Sequence, residues 1–591
     1  MAEALISPGV FLRENDQSQI TAGPITVGSA LIGPTVLGRP DFPTLVTSYS
    51  EYKAKFGTTF ISGGTTYEYL TSQAAYNYFQ QGGTSLLVTR IVSSSVNYTP
   101  AVSTFISSSN LTSPVFVLET LSVGEVMNNN YSSSASQTTK GVLPSGSSNN
   151  VRWQITQADS ASGYFTLLIR QGNDITANQS VLETWSNISL DPNQNNYIEY
   201  VIGNQTYQIL EDENLQKYIQ ITGSYPNASN YVRVSAVNQP TPNYLGPTGV
   251  AQSQYTSSIP VNGSGSYNGS FSGATGALYG CFAQAPLNMY EAIPSVSSSA
   301  ASLNVQGVFP YNYDTAINLL ANQDAYVYNA IYAPGLTNQN GPAQIAALLA
   351  TVANRGDAIA VVDMVGYNQS VTAVSTGAQS FDNSYGATYW PWVQVRSIET
   401  GRLNFVPAST IVPAVYEYND KVSAEWFAPA GLNRGGLPTV IQPERRLTVG
   451  QRNTLYTAKV NPIAIFPGQG TVIYGQKTLQ SRASALDRVN VRRLLIALKS
   501  YIGQIAQTLV FEQNTAVTRN RFLSQVNPYL EYVQQRQGLY AFRVVMDDSN
   551  NTPDVIDRNL LVGAIYLQPT RTAEFIQLDF NILPTGVTFG Q

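Results

Sequence analysis

The chain has 591 residues, of which 43% are apolar and only 11% charged, with 31 Lys+Arg against 36 Asp+Glu. That length calls for several domains, and the apolar fraction is sufficient for real cores. It contains no histidine and a single cysteine, Cys281, which excludes Ser-His-Asp, Cys-His and His-ligated metal chemistry and any intramolecular disulfide.

The start, MAEALISPGVFLREND, has no basic n-region and no long apolar run, and Pro8-Gly9 breaks it. It does not read as a signal peptide, and no stretch of the chain is apolar for long enough to cross a membrane. Residues 1–22 read instead as an extended arm. Val10, Phe11 and Leu12 form an apolar segment too short to bury itself; it must lie on its own domain or pair with another chain's sheet edge. Strands are predicted at 26–32, 45–47 and 86–92, with helices at 50–56 and 67–81 between them, an alternation that argues for an α/β layer.

From 96 to 274 the texture changes to Ser, Asn, Thr and Gly with short β-like runs at 115–118, 164–170, 197–202 and 231–234. Turn signals such as Asp191-Pro192 and Tyr225-Pro226 separate them. This is a β-rich insertion of one or two modules. GSGSYNGSFSGATG (263–276) lacks the spacing of a phosphate loop and reads as a linker. The α/β texture resumes near Ala316, with a strand at 325–332, a helix at 341–355 and a buried strand at 358–365. Asp363 sits near the carboxyl end of that strand, where α/β enzymes place ligands, and Lys477 is the other place an enzyme would use. No partner residue supports catalysis at either.

Between Arg434 and Arg543 stand 15 Lys+Arg against 4 Asp+Glu, a surplus of 11 basic residues inside a chain that is acidic overall. Ser484 is placed to cap a helix. Leu486, Val489, Leu494, Leu498, Tyr501, Ile502, Ile505 and Leu509 then make its apolar stripe. Arg488, Arg492 and Lys499 lie on the other side, with Arg493 flanking the stripe. A basic face in an acidic chain points to an acidic protein partner; no nucleic-acid-binding motif accompanies it. Near the end, Ile576, Leu578, Phe580 and Ile582 alternate with polar residues as in a half-buried strand, and 541–546 and 560–568 are candidate hosts for such a strand.

FDNSYGATYWPWVQV (381–395) resembles the aromatic strand of the contractile-tail sheath proteins of long contractile-tailed bacteriophages, the myovirus-type family. Further stretches are similar in the family's order: ISPGVFLRE (6–14), VTSYSEYKAKFG (46–57), IYAPGL (331–336), RGDAIAVVD (355–363), VPAST (406–410), WFAPAGLNRGGL (426–437), VIYGQKTLQSRASALDRVNVRRLL (472–495) and NNTPDVIDRNLLVGAIYLQPTRTAEFIQLDFNI (550–582). The insertion carries little of the likeness beyond VLETWSNISLDP (181–192), and its size places the chain nearer phage sheaths than the shorter sheaths of secretion machines.

The resemblance implies an α+β and α/β multidomain fold: arm 1–22, a discontinuous α/β middle domain (23–95 plus about 275–440), the outward β-rich insertion 96–274, a tube-proximal α+β core domain 441–565 and a strand arm 566–591. It implies a non-enzymatic virion subunit without cofactor or metal, assembled in the host cytoplasm. Copies stack as six-membered rings around an inner tail tube, with baseplate and tail terminator proteins as further partners, and contract to drive the tube through the host envelope. Neither nucleic acid nor membrane insertion is implied. Arg488, Arg492, Arg493 and Lys499 would face the tube, and Val10, Phe11, Leu12, Ile576, Leu578, Phe580 and Ile582 would link subunits as exchanged strands. A phage-derived particle, such as a tailocin or an injection system, and a static shell are the alternatives.

Overall fold

The computed structural model describes residues 27–62, 65–92, 100–109, 113–123, 129–130, 150–269, 306 and 308–577. Val10, Phe11 and Leu12 of the first arm, and Leu578, Phe580 and Ile582 of the last, lie outside them. Eight strands build the central sheet: β1 (Val27–Gly33), β2 (Thr44–Val46), β3 (Leu86–Arg90), β4 (Tyr328–Thr337), β5 (Ile359–Asp363), β6 (Gly386–Trp390), β7 (Val460–Phe466) and β8 (Gly470–Ile473), in spatial order β2-β3-β1-β4-β5-β6-β7-β8. The six inner strands run parallel, and an antiparallel strand closes each edge.

Parallel strands are covered on both faces, which is why these segments read as near-continuous apolar runs. Successive side chains then divide between two cores. Ile331, Ala333, Ala360 and Val362 face one; Ala330, Tyr332, Ile359 and Val361 face the other. Helix α1 (Leu70–Gln80) covers the second face through Leu70, Ala74, Ala75 and Tyr78. Helix α2 (Pro342–Arg355) covers the first through Ile345, Leu348, Leu349 and Val352. It starts with Pro in its first turn and stops at Gly356, whose φ of 71° lies in the left-handed region that a helix-ending glycine supplies. Helix α3 (Val412–Val422) lies beside α1, with Val412, Val415 and Tyr416 in the second core.

Four expectations change. The helix placed at 67–81 begins only at Leu70, because Thr59–Ser62 and Thr65–Glu68 pair as a hairpin. The run at 197–202 is a helical turn, Ile198–Ile202, and its two isoleucines, four apart, are both fully buried. The aromatic stretch 381–395 is not one strand. It breaks at Trp390-Pro391, and Val393–Arg396 belongs to a separate three-stranded sheet, since proline cannot donate to a ladder. The boundary expected near 440 falls inside the central sheet: β7 and β8 complete it, β7 pairing with β6.

The insertion has its own sheets, one of order Val181–Ser189, Tyr164–Gln171, Val151–Asp159, Gly263–Gly265 and another containing Phe116–Thr120 and Val232–Val237. Its core also takes Val36, Tyr67 and Tyr69 from the first block of the chain. A hairpin, Thr206–Glu211 with Lys217–Thr222, fastens it to both halves of the sheet domain. Tyr207 donates to the Pro40 carbonyl at 2.6 Å, and the Lys217 N–H and Nζ donate to Asn318 Oδ1 and Thr315 Oγ1 at 2.6 and 3.1 Å.

Helix α4 (Val449–Thr457) leads into β7 and packs on it, and after the sheet comes the long pair α5 (Val489–Gln507) and α6 (Ala516–Gln535). Strands β9 (Leu539–Val545) and β10 (Ala564–Pro569) form a ribbon. A further core joins Leu494, Leu498, Phe522, Val526, Leu530 and Leu539. Ser484 caps a single turn, Ala485–Asp487, rather than α5. Arg488 is extended and pairs with Lys477 before the helix begins.

Fully buried Asn461 on β7 ties the sheet to the segment leading into α5. Its Nδ2 donates to the carbonyls of Thr388 and Lys477 at 3.1 and 2.8 Å, and its Oδ1 accepts from the Lys477 N–H at 2.5 Å. Asn461→Ala is expected to cost about 1–3 kcal/mol for each backbone group left buried without a partner. Urea denaturation of the purified chain measures this.

Candidate functional site: the C-terminal seam

The four cations expected to face the tube occupy four different environments. Arg492 is buried; its Nε donates to the Ser384 carbonyl at 3.2 Å, and its guanidinium lies 3.8 Å from the Tyr385 ring centre. Arg493 is buried on another side, paired with Asp420 Oδ2 at 2.5 Å and 4.6 Å from the ring centre of Tyr416. Arg488, half-buried, pairs with Asp487 at 2.9 Å and with Glu574. Lys499 alone is exposed, its Nζ donating to the Tyr385 hydroxyl at 3.0 Å.

The single basic face is thereby corrected. Segment 384–385 covers α5 on one side and α3 on the other, each presenting an aromatic ring and an oxygen acceptor to an arginine. Arginine suits such sites because its planar cation stacks while its fork donates. A helical projection shows neither neighbour. Much of the surplus positive charge reaches the surface elsewhere, at Arg482, Arg521, Arg536 and Arg543.

Glu574 is the acceptor of a clamp that the sequence did not reveal. Arg488 donates to it through two nitrogens, at 2.7 and 3.0 Å. The Tyr456 hydroxyl on α4 adds a bond at 2.7 Å, and Gln476 Nε2 another at 3.1 Å. Lys477 stacks over the same tyrosine, 4.4 Å from its ring centre. Burial by itself would raise Glu574, but these donors, Arg488 foremost, hold it below its ordinary value. The clamp docks the C-terminal segment against the start of α5. Immediately beyond it, Phe575 and Ile576 are 84% and 78% exposed.

The candidate host segments pair with each other as β9 and β10. Phe542, Val544, Ile565 and Leu567 turn toward the helical core, while Tyr540 and Tyr566 face outward. Among the described residues no third strand joins this ribbon, so each strand keeps one edge that no other strand pairs, a template for a further strand.

Asp363 is buried and accepts from both the hydroxyl and the N–H of Ser409, with burial pushing its pKa up to about 7. It fastens the loop before α3 to the end of β5. Among the described residues no group of three or more His, Cys, Asp or Glu could hold a metal ion, and no helix is long and apolar enough to cross a membrane.

The sequence profile of the phage tail sheath protein central domain matches residues 311–479, and that of the phage tail sheath C-terminal domain matches 481–582. Residues 311–582 match the phage tail sheath family. Over 190 residues it is 41% identical to the tail sheath protein of Vibrio phage KVP40, a match covering 32% of this chain and 28% of that relative. Over 187 residues it is 40% identical to the tail sheath protein of Enterobacteria phage T4, with the same coverage, 32% and 28%. The matched stretch is thus under a third of either relative's length. Among solved structures, the sheath tail protein of Listeria innocua is 10% identical, with 89% of each chain covered and a TM-score of 0.48.

The clamp carries a pH dependence of definite sign. Glu574 is held below its ordinary value, so its contribution is complete at neutral pH and is lost in acid, as the pH falls below the usual glutamate range of about 4.3. Hydrogen exchange is expected to show 571–577 protected at pH 7 and released in acid. Glu574→Gln should release it at pH 7 as well.

Proposed function

We propose that this chain is the structural subunit of a contractile phage tail sheath. Copies polymerise as stacked six-membered rings around an inner tail tube in a metastable extended state, and their contraction drives the tube through the host envelope. The tail baseplate and terminator are its other partners, and the subunit is not an enzyme. The family match running through 311–582 carries this reading.

The seam supports a specific linkage. The clamp at Glu574 fixes where the chain leaves the subunit, and the apolar residues beyond it enter a neighbour's β9–β10 ribbon as an added strand, as does the segment of Val10, Phe11 and Leu12. Backbone hydrogen bonds at a ribbon edge hold such a strand, and alternate side chains fill apolar pockets. Short connectors between clamp and strand absorb rotation of the subunits without breaking the link. The insertion projects outward. Lys499, with the exposed arginines of this region, faces the tube through contacts worth about 0.2–1 kcal/mol each, weak enough to release on contraction.

Negative-stain microscopy of the chain expressed alone is expected to show hollow striated cylinders. Deletion of 1–22 should leave a folded monomer that does not polymerise; cylinders from the truncated chain would count against strand exchange. Lys499→Glu should leave the monomer's stability unchanged and lower assembly on purified tubes in a co-sedimentation assay. Undiminished assembly would reject a tube-facing role for this residue.

A further inference from the structure

The seam between the sheet domain and the helical pair gathers one buried guanidinium and three half-buried carboxylates. Glu417 and Asp420 lie on α3, Glu425 on the loop after it, and Arg493 on α5: three carboxylates around one guanidinium. Both chain segments pass between cores at this point. Val415 and Tyr416 belong to the sheet core, whereas Ala424 and Trp426 belong to the helical one. On α5, Ile496 faces the sheet core while Leu494 and Leu498 face the helical one.

Arg493 gives its NH2 to Asp420, and its NH1 has no hydrogen-bond partner although the side chain is only 6% exposed. Glu417 meets the Tyr78 hydroxyl from α1, and the hydroxyl of Tyr332 on β4 is buried without a partner. Among the described residues Glu425 forms neither hydrogen bond nor ion pair. With Arg493 it lines a cavity of about 210 Å³. That cavity reaches Val327, Asn329 and Asp357 on the sheet side and Tyr501 and Tyr529 on the helical side. Buried polar groups in native proteins are almost always paired, so the unpartnered Arg493 NH1 and the unpaired Glu425 carboxylate, both lining this cavity, call for an explanation.

We propose that Glu417, Asp420, Glu425 and Arg493 form a proton-sensitive latch between the sheet domain and the helical pair. It is closed when Glu417 and Glu425 carry protons, and loosened when they ionise and compete with Asp420 for the one guanidinium. The groups facing Glu417 are Tyr78 from α1, Tyr332 from β4, Asp420 from its own helix, Glu425 from the loop and Arg493 from α5. Only Arg493 among them is cationic. Burial, reinforced by Asp420 and opposed by Arg493, pushes Glu417 from 4.5 up to about 7; burial, then Asp420, also raises Glu425. The folded junction therefore binds protons that the opened one releases, and its stability falls as the pH rises from 4.5 through about 7.

This latch concerns the isolated subunit and stands whether or not the chain polymerises. Its test is hydrogen exchange of the full-length chain, in whichever assembly state it adopts, over residues 412–426 and 489–507 between pH 5.5 and 8, corrected for the intrinsic rate. Wild-type protection is expected to fall roughly tenfold or more, one unit of pKa displacement being a factor of ten. Glu417→Gln/Glu425→Gln should stay protected throughout. A wild-type chain whose protection does not change with pH overturns the latch, as does an unchanged slope in the double variant. Should circular dichroism show the double variant unfolded, Glu425→Gln alone must flatten the slope, and an unaltered slope overturns it equally.

Discussion

Helix α5 belongs to two hydrophobic cores at once, and the second half of the chain is arranged around that constraint. Val489 and Ile496 pack with the central sheet, while Leu494 and Leu498 pack with α6 and the ribbon. A helix buried on more than one side has little surface on which to leave charges in water. Its cations must therefore be met by groups from neighbouring elements. Tyr385, Ser384, Tyr416 and Asp420 supply those groups. Their positions fix α5 against the sheet, and α5 in turn sets where the ribbon stands.

The same constraint defines the exit of the chain. The extended residues before α5 pair Arg488 with Lys477 and leave the Arg488 side chain free to grip Glu574. Tyr456, Gln476 and Arg488 come from three separate segments, and all reach one carboxylate. A charge held by several donors is a firm anchor, because every donor favours the ionised form. Directly past the anchor the chain carries exposed apolar residues.

The insertion is braced rather than tethered. Its hairpin touches residues on either side of the sheet domain's interruption, and the two halves of that domain meet again through β1 and β4. An interruption of more than two hundred residues between β3 and β4 is tolerated because both strands flank β1 in one sheet, so the chain leaves and rejoins the domain two strand positions apart, and loop-closure entropy grows only slowly with length.

Much of the central sheet was legible from the amino acids. The apolar runs at 26–32, 86–92 and 358–365 name their strands because a strand covered on both faces must be apolar throughout. Gly356 and Gly57 mark helix ends because a left-handed backbone favours glycine. The family likeness was legible separately, from motifs such as 381–395 and 472–495 that recur in the family's order along the chain. What the tertiary structure alone decided is partnership across distance. Arg492 and Arg493 look solvated on a helical projection, since the rings that cover them lie some eighty to a hundred residues away in the chain. Glu574 looks like any glutamate until Arg488, eighty-six residues earlier, is brought beside it. Local periodicity reports which face of an element is apolar; only folding shows which neighbour meets the polar one.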